Sequence, residues 1–308
     1  MEEKLNSLTN VLQWTIAQSK TENCNGRTEE ELEEMKKNME KKENREFLSK
    51  VMKSDVEYLK EFVEIIKNKD SKEEEVLNAV CELQNFVEQI DNANDLDKIG
   101  GLIHVIKLTQ SDNKEIRENA FVVVGMVAQN NPEGKKKILE KGGLVYMIKT
   151  LRDEKELKVL ERCIFAFSSI SKHVVEIQDA IIKMKGFECL IDILKRKEIT
   201  DSIKMKIIFL LGRLFTENPK KFGLHFVEIQ VPLVLSEIFN SFHLESSLDL
   251  IDKTVSFTNQ ILLHSPSIQK EIDFSNLFLS LKELLEKRKN IEKEDSEFID
   301  QILQSLKK

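Results

Sequence analysis

The residues of this chain that could do chemistry are few and do not converge. Five histidines lie far apart, four of them (His104, His173, His243 and His264) in or beside different helical segments. The four cysteines, Cys24, Cys81, Cys163 and Cys189, make no Cys-x-x-Cys pair, and no His-Glu-x-x-His spacing occurs. Neither of these zinc-ligand spacings is therefore present. Cys163 and Cys189 sit on apolar helical faces and read as buried free thiols, which suits a reducing compartment. Gly134 is followed by three lysines, but it lacks the second glycine and the hydroxyl of a phosphate-cradling loop. It reads as the basic start of a helix. Ser171 and His173 are close in sequence, yet no glycines flank the serine as a nucleophile elbow requires. The expectation is a protein that is not an enzyme and holds no metal or cofactor.

What remains is the chemistry of recognition, and the elements that must present it repeat. Gly101-LIHVIKL, Gly143-LVYMIKTL and Gly186-FECLIDIL share one apolar spacing, and their glycines lie 42 and 43 residues apart. A fainter copy, Gln230-VPLVLSEI, follows 44 residues later, with proline in the first helical turn, where a missing N–H is harmless. Longer apolar-periodic segments come next in each case, beginning at Glu115, Leu157, Ser202 and Leu248. Three of these four end at Asn-Pro or Ser-Pro, because the residue before proline is driven from the helical region. Between that stop and the next glycine lies a further short helix, as in Gly134-KKKILEKG and Val174-VEIQDAIIKMKG.

Three helices in about 40 to 47 residues form the armadillo period. No such unit can bury its apolar faces alone, so neighbours must stack. The fold expected is all-α: a right-handed armadillo superhelix, an α-solenoid of about four repeats with helical caps. Residues 1–45 read as a flexible segment with a short amphipathic helix, 46–75 as an N-terminal capping helix, 76–271 as the repeats and 272–308 as C-terminal capping helices. Within the first segment, residues 27–46 hold 14 charged side chains in 20 and read as a linker. The net charge of −7 disfavours a nucleic-acid partner. No run approaches the apolar length of a membrane span, and the first twenty residues lack the core of a secretory signal.

Stacked repeats present their long third helices on one wall, where positions i, i+3 and i+7 recur in register. The alignment gives Asn119, Val122 and Met126; Arg162, Phe165 and Ser169; Lys206, Phe209 and Arg213; and Lys253, Ser256 and Gln260. The first members are 43, 44 and 47 residues apart, and three of the four are basic. Arg162, Lys206 and Lys253 are therefore expected to form a positive ladder on an acidic protein. Phe165 and Phe209 read equally as buried core and as exposed contacts. Transport-signal receptors would carry asparagine where Met126, Ser169, Arg213 and Gln260 stand, and repeat-type RNA binders would need stacking groups in every repeat.

The stretches Asp91-NANDLDKIGGL, Gly125-MVAQNNP and Ala166-FSSISKH, with the N-terminal Leu12-QWTIAQS, resemble the Fes/Hsp-binding-protein family. Its members are armadillo exchange factors of the seventy-kDa heat-shock chaperone. The resemblance implies a cytoplasmic co-chaperone, acting as a monomer, that grips the chaperone's nucleotide-binding domain with its concave face and promotes release of ADP and client. The alternative is a generic armadillo adaptor or scaffold. It also implies that Lys206 faces the partner and that the turn Asn92, Ala93, Asn94 lies against it, with Ala93 small enough for close approach. From the residues alone that turn reads as the end of one helix, with Asn94 or Asp95 capping the next. The apolar face of Leu5, Leu8, Leu12 and Ile16, with Trp14 beside it, would by the same resemblance compete with clients at the chaperone's substrate-binding domain.

Overall fold

The computed structural model describes residues 53–264, 272–291 and 294–306, and every regular element among them is an α-helix. The chain divides into two compact units, residues 1–61 and 62–308. Of the first, only 53–61 are described. There helix α1 (Asp55–Lys67) begins with a reciprocal cap. Ser54 N–H donates to Glu57 Oε2 at 2.7 Å, and Ser54 Oγ accepts from Glu57 N–H at 3.4 Å. These bonds to Ser54 hold the Glu57 carboxyl below its usual range.

In the second unit a long helix, α2 (Glu73–Val87), precedes four cycles of three. The first cycle is α3 (Ile90–Lys98), α4 (Leu102–Leu108) and α5 (Lys114–Ala128). The second is α6 (Pro132–Glu140), α7 (Gly143–Asp153) and α8 (Leu157–Ser171). The third is α9 (Val175–Lys183), α10 (Gly186–Leu194) and α11 (Asp201–Glu217). The fourth is α12 (Pro219–Glu228), α13 (Val231–Ser241) and α14 (Leu248–His264). Two more helices, α15 (Phe274–Ile291) and α16 (Ser296–Ser305), follow. The expected cap–repeat boundary at 75/76 falls inside α2. That helix packs on α5 as α5 packs on α8.

The sequence period has a local physical cause. Each first helix of a cycle ends in a residue with left-handed backbone: Gly100 (φ 75°), Gly142 (φ 76°), Lys185 (φ 59°) and Gln230 (φ 64°). The following position must lie close to the helix just completed. A Cβ on Gly143 would come within 2.5 Å of Ile138 Cγ2, and one on Gly101 within 2.4 Å of Val63 Cγ2. Asparagine before proline caps the helix that follows: Asn131 Oδ1 accepts from Gly134 N–H and Asn218 Oδ1 from Lys221 N–H, both at 3.0 Å, and Asn218 is also the C-cap of α11. Pro132 and Pro219 then open α6 and α12, where no N–H is needed. Ser265-Pro266 lies outside the described residues.

Burial between cycles holds the stack. Third helices pack on third helices, α5 on α8, α8 on α11 and α11 on α14. Phe187 on α10 meets Phe167, Phe222 and Phe226 edge-on at 6.1, 5.8 and 6.0 Å, joining the second, third and fourth cycles. All four rings are almost fully buried. Burial of a large apolar side chain contributes roughly 1.5 to 3 kcal/mol, so removing the Phe187 ring would weaken three cycles at once.

Candidate partner-binding face

The third-helix positions fall on the outside of the stack. Cores of α5, α8, α11 and α14 are built from Phe121, Val124, Ile164, Phe167, Leu211 and Val255, all buried. Helical spacing turns the intervening residues away from that core. Every member of the expected stripe is exposed or partly exposed: Asn119, Val122 and Met126; Arg162, Phe165 and Ser169; Lys206, Phe209 and Arg213; Lys253, Ser256 and Gln260. Phe209 is 46% exposed, a large aromatic surface for a side chain with no polar handle. Phe165 is half-buried and lies across Gly125, where an added Cβ would come within 2.3 Å of its ring.

The positive ladder needs correction. Its cations are paired with carboxylates within the stack. Arg162 Nε lies 3.5 Å from Glu118 Oε1 on α5, and Lys206 Nζ donates to Glu161 Oε1 on α8. Ser202 Oγ donates to the same Glu161 oxygen at 3.2 Å. The Lys206 hydrogen bond, first among the causes, holds the Glu161 carboxyl below its usual range. Lys253 is 2.8 Å from Asp252 on its own helix. The row also has neutral rungs: Gln84 Nε2 donates to Asn119 Oδ1 at 2.7 Å and Thr216 Oγ1 to Gln260 Oε1 at 3.0 Å. Among the described residues, Arg213 is the stripe cation without a carboxylate partner. The face therefore offers apolar patches framed by ion pairs, with its charge balanced at Arg162, Lys206 and Lys253 but not at Arg213.

Glu118 and Glu161 are the residues that sequence reasoning missed. Their signal was present: they stand 43 residues apart, each directly before a stripe position. Carboxylate and cation share a rung only once adjacent third helices are laid side by side.

The turn expected at Asn92, Ala93 and Asn94 is also corrected. These residues lie inside α3, whose N-cap is Gln89, so neither Asn94 nor Asp95 caps a helix. Ala93 is 2% exposed and Asn92 6%. Asn92 Nδ2 donates to Phe86 O at 3.1 Å, and Asn94 Oδ1 accepts from Asn131 Nδ2 at 2.8 Å. The small side chain at 93 fits the packing of α3, and Asn94 alone of the three is only partly buried. Leu5, Leu8, Leu12, Trp14 and Ile16 lie outside the described residues.

Elsewhere the polar groups serve the stack. Among the described residues no cluster of His, Cys, Asp and Glu could hold a metal ion. Cys163 and Cys189 are buried free thiols; desolvation pushes both up, Cys163 far above its usual range. The basic start at Gly134 is partly inward: Lys135 is 4% exposed and donates to Lys172 O at 2.6 Å. Burial pushes its ammonium down. No single described helix is long and apolar enough to cross a membrane.

Comparison with known proteins adds the family. Residues 8–96 match the model described as "Nucleotide exchange factor Fes1", and residues 92–227 match "SIL1/FES1/HPBP1 C-terminal domain". The chain is 28% identical over 187 residues to the Rattus norvegicus protein named nucleotide exchange factor SIL1, covering 61% of this chain and 39% of that protein. It is 24% identical over 210 residues to the Saccharomyces cerevisiae Hsp70 nucleotide exchange factor FES1, covering 66% of this chain and 71% of the relative. The first of these relatives thus extends well beyond the region it shares with this chain. Computationally designed armadillo repeat proteins for modular peptide recognition superpose with a TM-score of 0.64 at 17% identity, over 80% of this chain and 98% of theirs. That likeness shows an armadillo fold.

Proposed function

Because this chain belongs to the SIL1/FES1/HPBP1 family, we propose that it is a nucleotide exchange factor for a seventy-kDa heat-shock chaperone, acting as a co-chaperone and not as an enzyme. The observation that carries this reading is the pair of family matches, which run together from residue 8 to residue 227. The geometry supports it with an in-register row of exposed groups on α5, α8, α11 and α14, suited to a macromolecular partner.

In this reading the third-helix wall grips one lobe of the chaperone's nucleotide-binding domain. Val122, Met126, Phe165 and Phe209 supply apolar contact, and the ion-pair rungs frame it. Apolar centres carry most of the affinity of such faces, while flanking charges steer and align. Exchange follows from linkage: the factor weakens ADP by the same factor by which ADP weakens it. A thousandfold effect needs about 4 kcal/mol of preference for the opened lobe. An interface of about 800 Å² on each partner is of ordinary size and can supply it.

We place the protein in the cytoplasm, a compartment that suits the free thiols Cys81, Cys163 and Cys189. The amphipathic face of Leu5, Leu8, Leu12, Trp14 and Ile16 is assigned to client release at the chaperone's substrate-binding domain.

The test is release of labelled ADP from a cytosolic chaperone of this class, with and without the protein. Acceleration by two orders of magnitude or more is expected. Stable binding to the chaperone with unchanged ADP release would instead indicate an adaptor.

A further inference from the structure

Building on the exchange-factor reading, we propose that the cleft at the α8–α9 turn is a carboxylate-binding subsite, in which Lys172 and Arg213 hold an acidic side chain of the chaperone lobe. The cleft is a cavity of about 150 Å³ lined by Lys172, His173, Arg213, Thr216 and Glu217. It adjoins the third-helix stripe through Arg213.

The cleft holds two cations, Lys172 and Arg213, against one carboxylate, Glu217, which opposes the shift at Lys172 without cancelling it, so its charge is less balanced than that on the rest of the face. Arg162, Lys206 and Lys253 each have a carboxylate within 4 Å. Lys172 and Arg213 have no such partner among the described residues. Lys172 is half-buried, and burial, followed by the positive charge of Arg213, pushes its ammonium below the usual lysine range. Two like charges in one recess disfavour each other, and an anion between them removes that cost.

Glu217 does not fill the role. Its Oε1 accepts from His173 N–H and from Gln178 Nε2, both at 3.0 Å, while Oε2 faces His173 Nδ1 at 3.3 Å. Those bonds tie the carboxylate to the turn itself. They also hold His173 at φ 63°, a left-handed conformation that a side chain with a Cβ seldom adopts. From the other side, buried Lys135 donates to Lys172 O. The backbone of the turn that carries Lys172 is thus tied down before any partner arrives, which lowers the ordering cost of binding. The planar guanidinium of Arg213 suits a planar carboxylate.

The experiment measures the affinity of the full-length chain for nucleotide-free chaperone at two salt concentrations. Lys172→Gln is expected to weaken binding by about tenfold and to flatten its salt dependence, whereas Lys172→Arg keeps both. Melting should be unchanged in each. Should Lys172→Gln lower the melting temperature, Arg213→Gln, at an exposed side chain, replaces it in the comparison. Equal affinities for the wild type and the glutamine variant would overturn the subsite while leaving the exchange activity standing. No binding by the wild type itself would overturn both.

Discussion

Lys206 on α11 donates a hydrogen bond to Glu161 on α8, although 45 residues separate them in the chain. The pair spans two successive third helices and also takes in Ser202, so one rung ties two cycles together on the face that would meet a partner. Its two side chains remain 41% and 30% exposed. Contacts of that kind add little to stability, about 0 to 1 kcal/mol, and their main effect is to fix the direction in which charges point.

Charge reversal at this rung separates recognition from folding. Lys206→Glu should slow the ADP release that this protein stimulates from the chaperone by about tenfold or more while helicity stays intact. The double change Glu161→Lys with Lys206→Glu restores an ion pair in the opposite sense. Exchange should stay low in that variant. Full recovery would mean that the rung serves the fold alone.

The same pair fixes a pH dependence. Glu161 is held below its usual carboxylate range by Lys206 in the folded state. Its contribution to stability is therefore present above the unfolded carboxylate value and is lost as pH falls through the lower folded one. Urea midpoints of wild type and Lys206→Met should converge as the solution is acidified below the ordinary carboxylate range. A constant difference down to strongly acid pH would contradict the assignment.

Phe209 tests the apolar part of the face. It is 46% exposed, so Phe209→Ala removes little buried contact and should leave the melting temperature nearly unchanged. Loss of chaperone affinity should reach about 2 kcal/mol, the size of an interface hot spot. Phe165→Ala should behave differently, because that ring covers Gly125. It should cost both stability and affinity, and calorimetry beside a binding titration distinguishes the two.

Ala93→Arg is expected to act on the fold. With the alanine 2% exposed inside α3, a guanidinium there is either buried unpaired or forces α3 away. A penalty of about 3 kcal/mol or more follows, read as a shifted urea midpoint. A variant that melts like the wild type yet fails to bind would restore the idea of a partner-facing residue at this position.

Deleting residues 1–25 should leave ADP release at the wild-type rate but slow the release of a labelled client peptide. Equal client release by the shortened and full chains would remove the assignment made to Leu5, Leu8, Leu12, Trp14 and Ile16.

The sequence by itself determined the repeat and the helices that compose it. That information is local. A left-handed residue follows each first helix at Gly100, Gly142, Lys185 and Gln230, and Asn131 and Asn218, each before a proline, cap the helices that follow. Each signal depends on backbone sterics within a few residues, so it can be read along the chain. Tertiary structure decided what each surface offers. Arg162 and Lys206 look like free cations until the neighbouring third helix brings Glu118 and Glu161 beside them. Ala93 looks like part of a turn until α3 is seen to be continuous and buried. Exposure and pairing are set by residues about one repeat away, at a distance that stacking alone makes short.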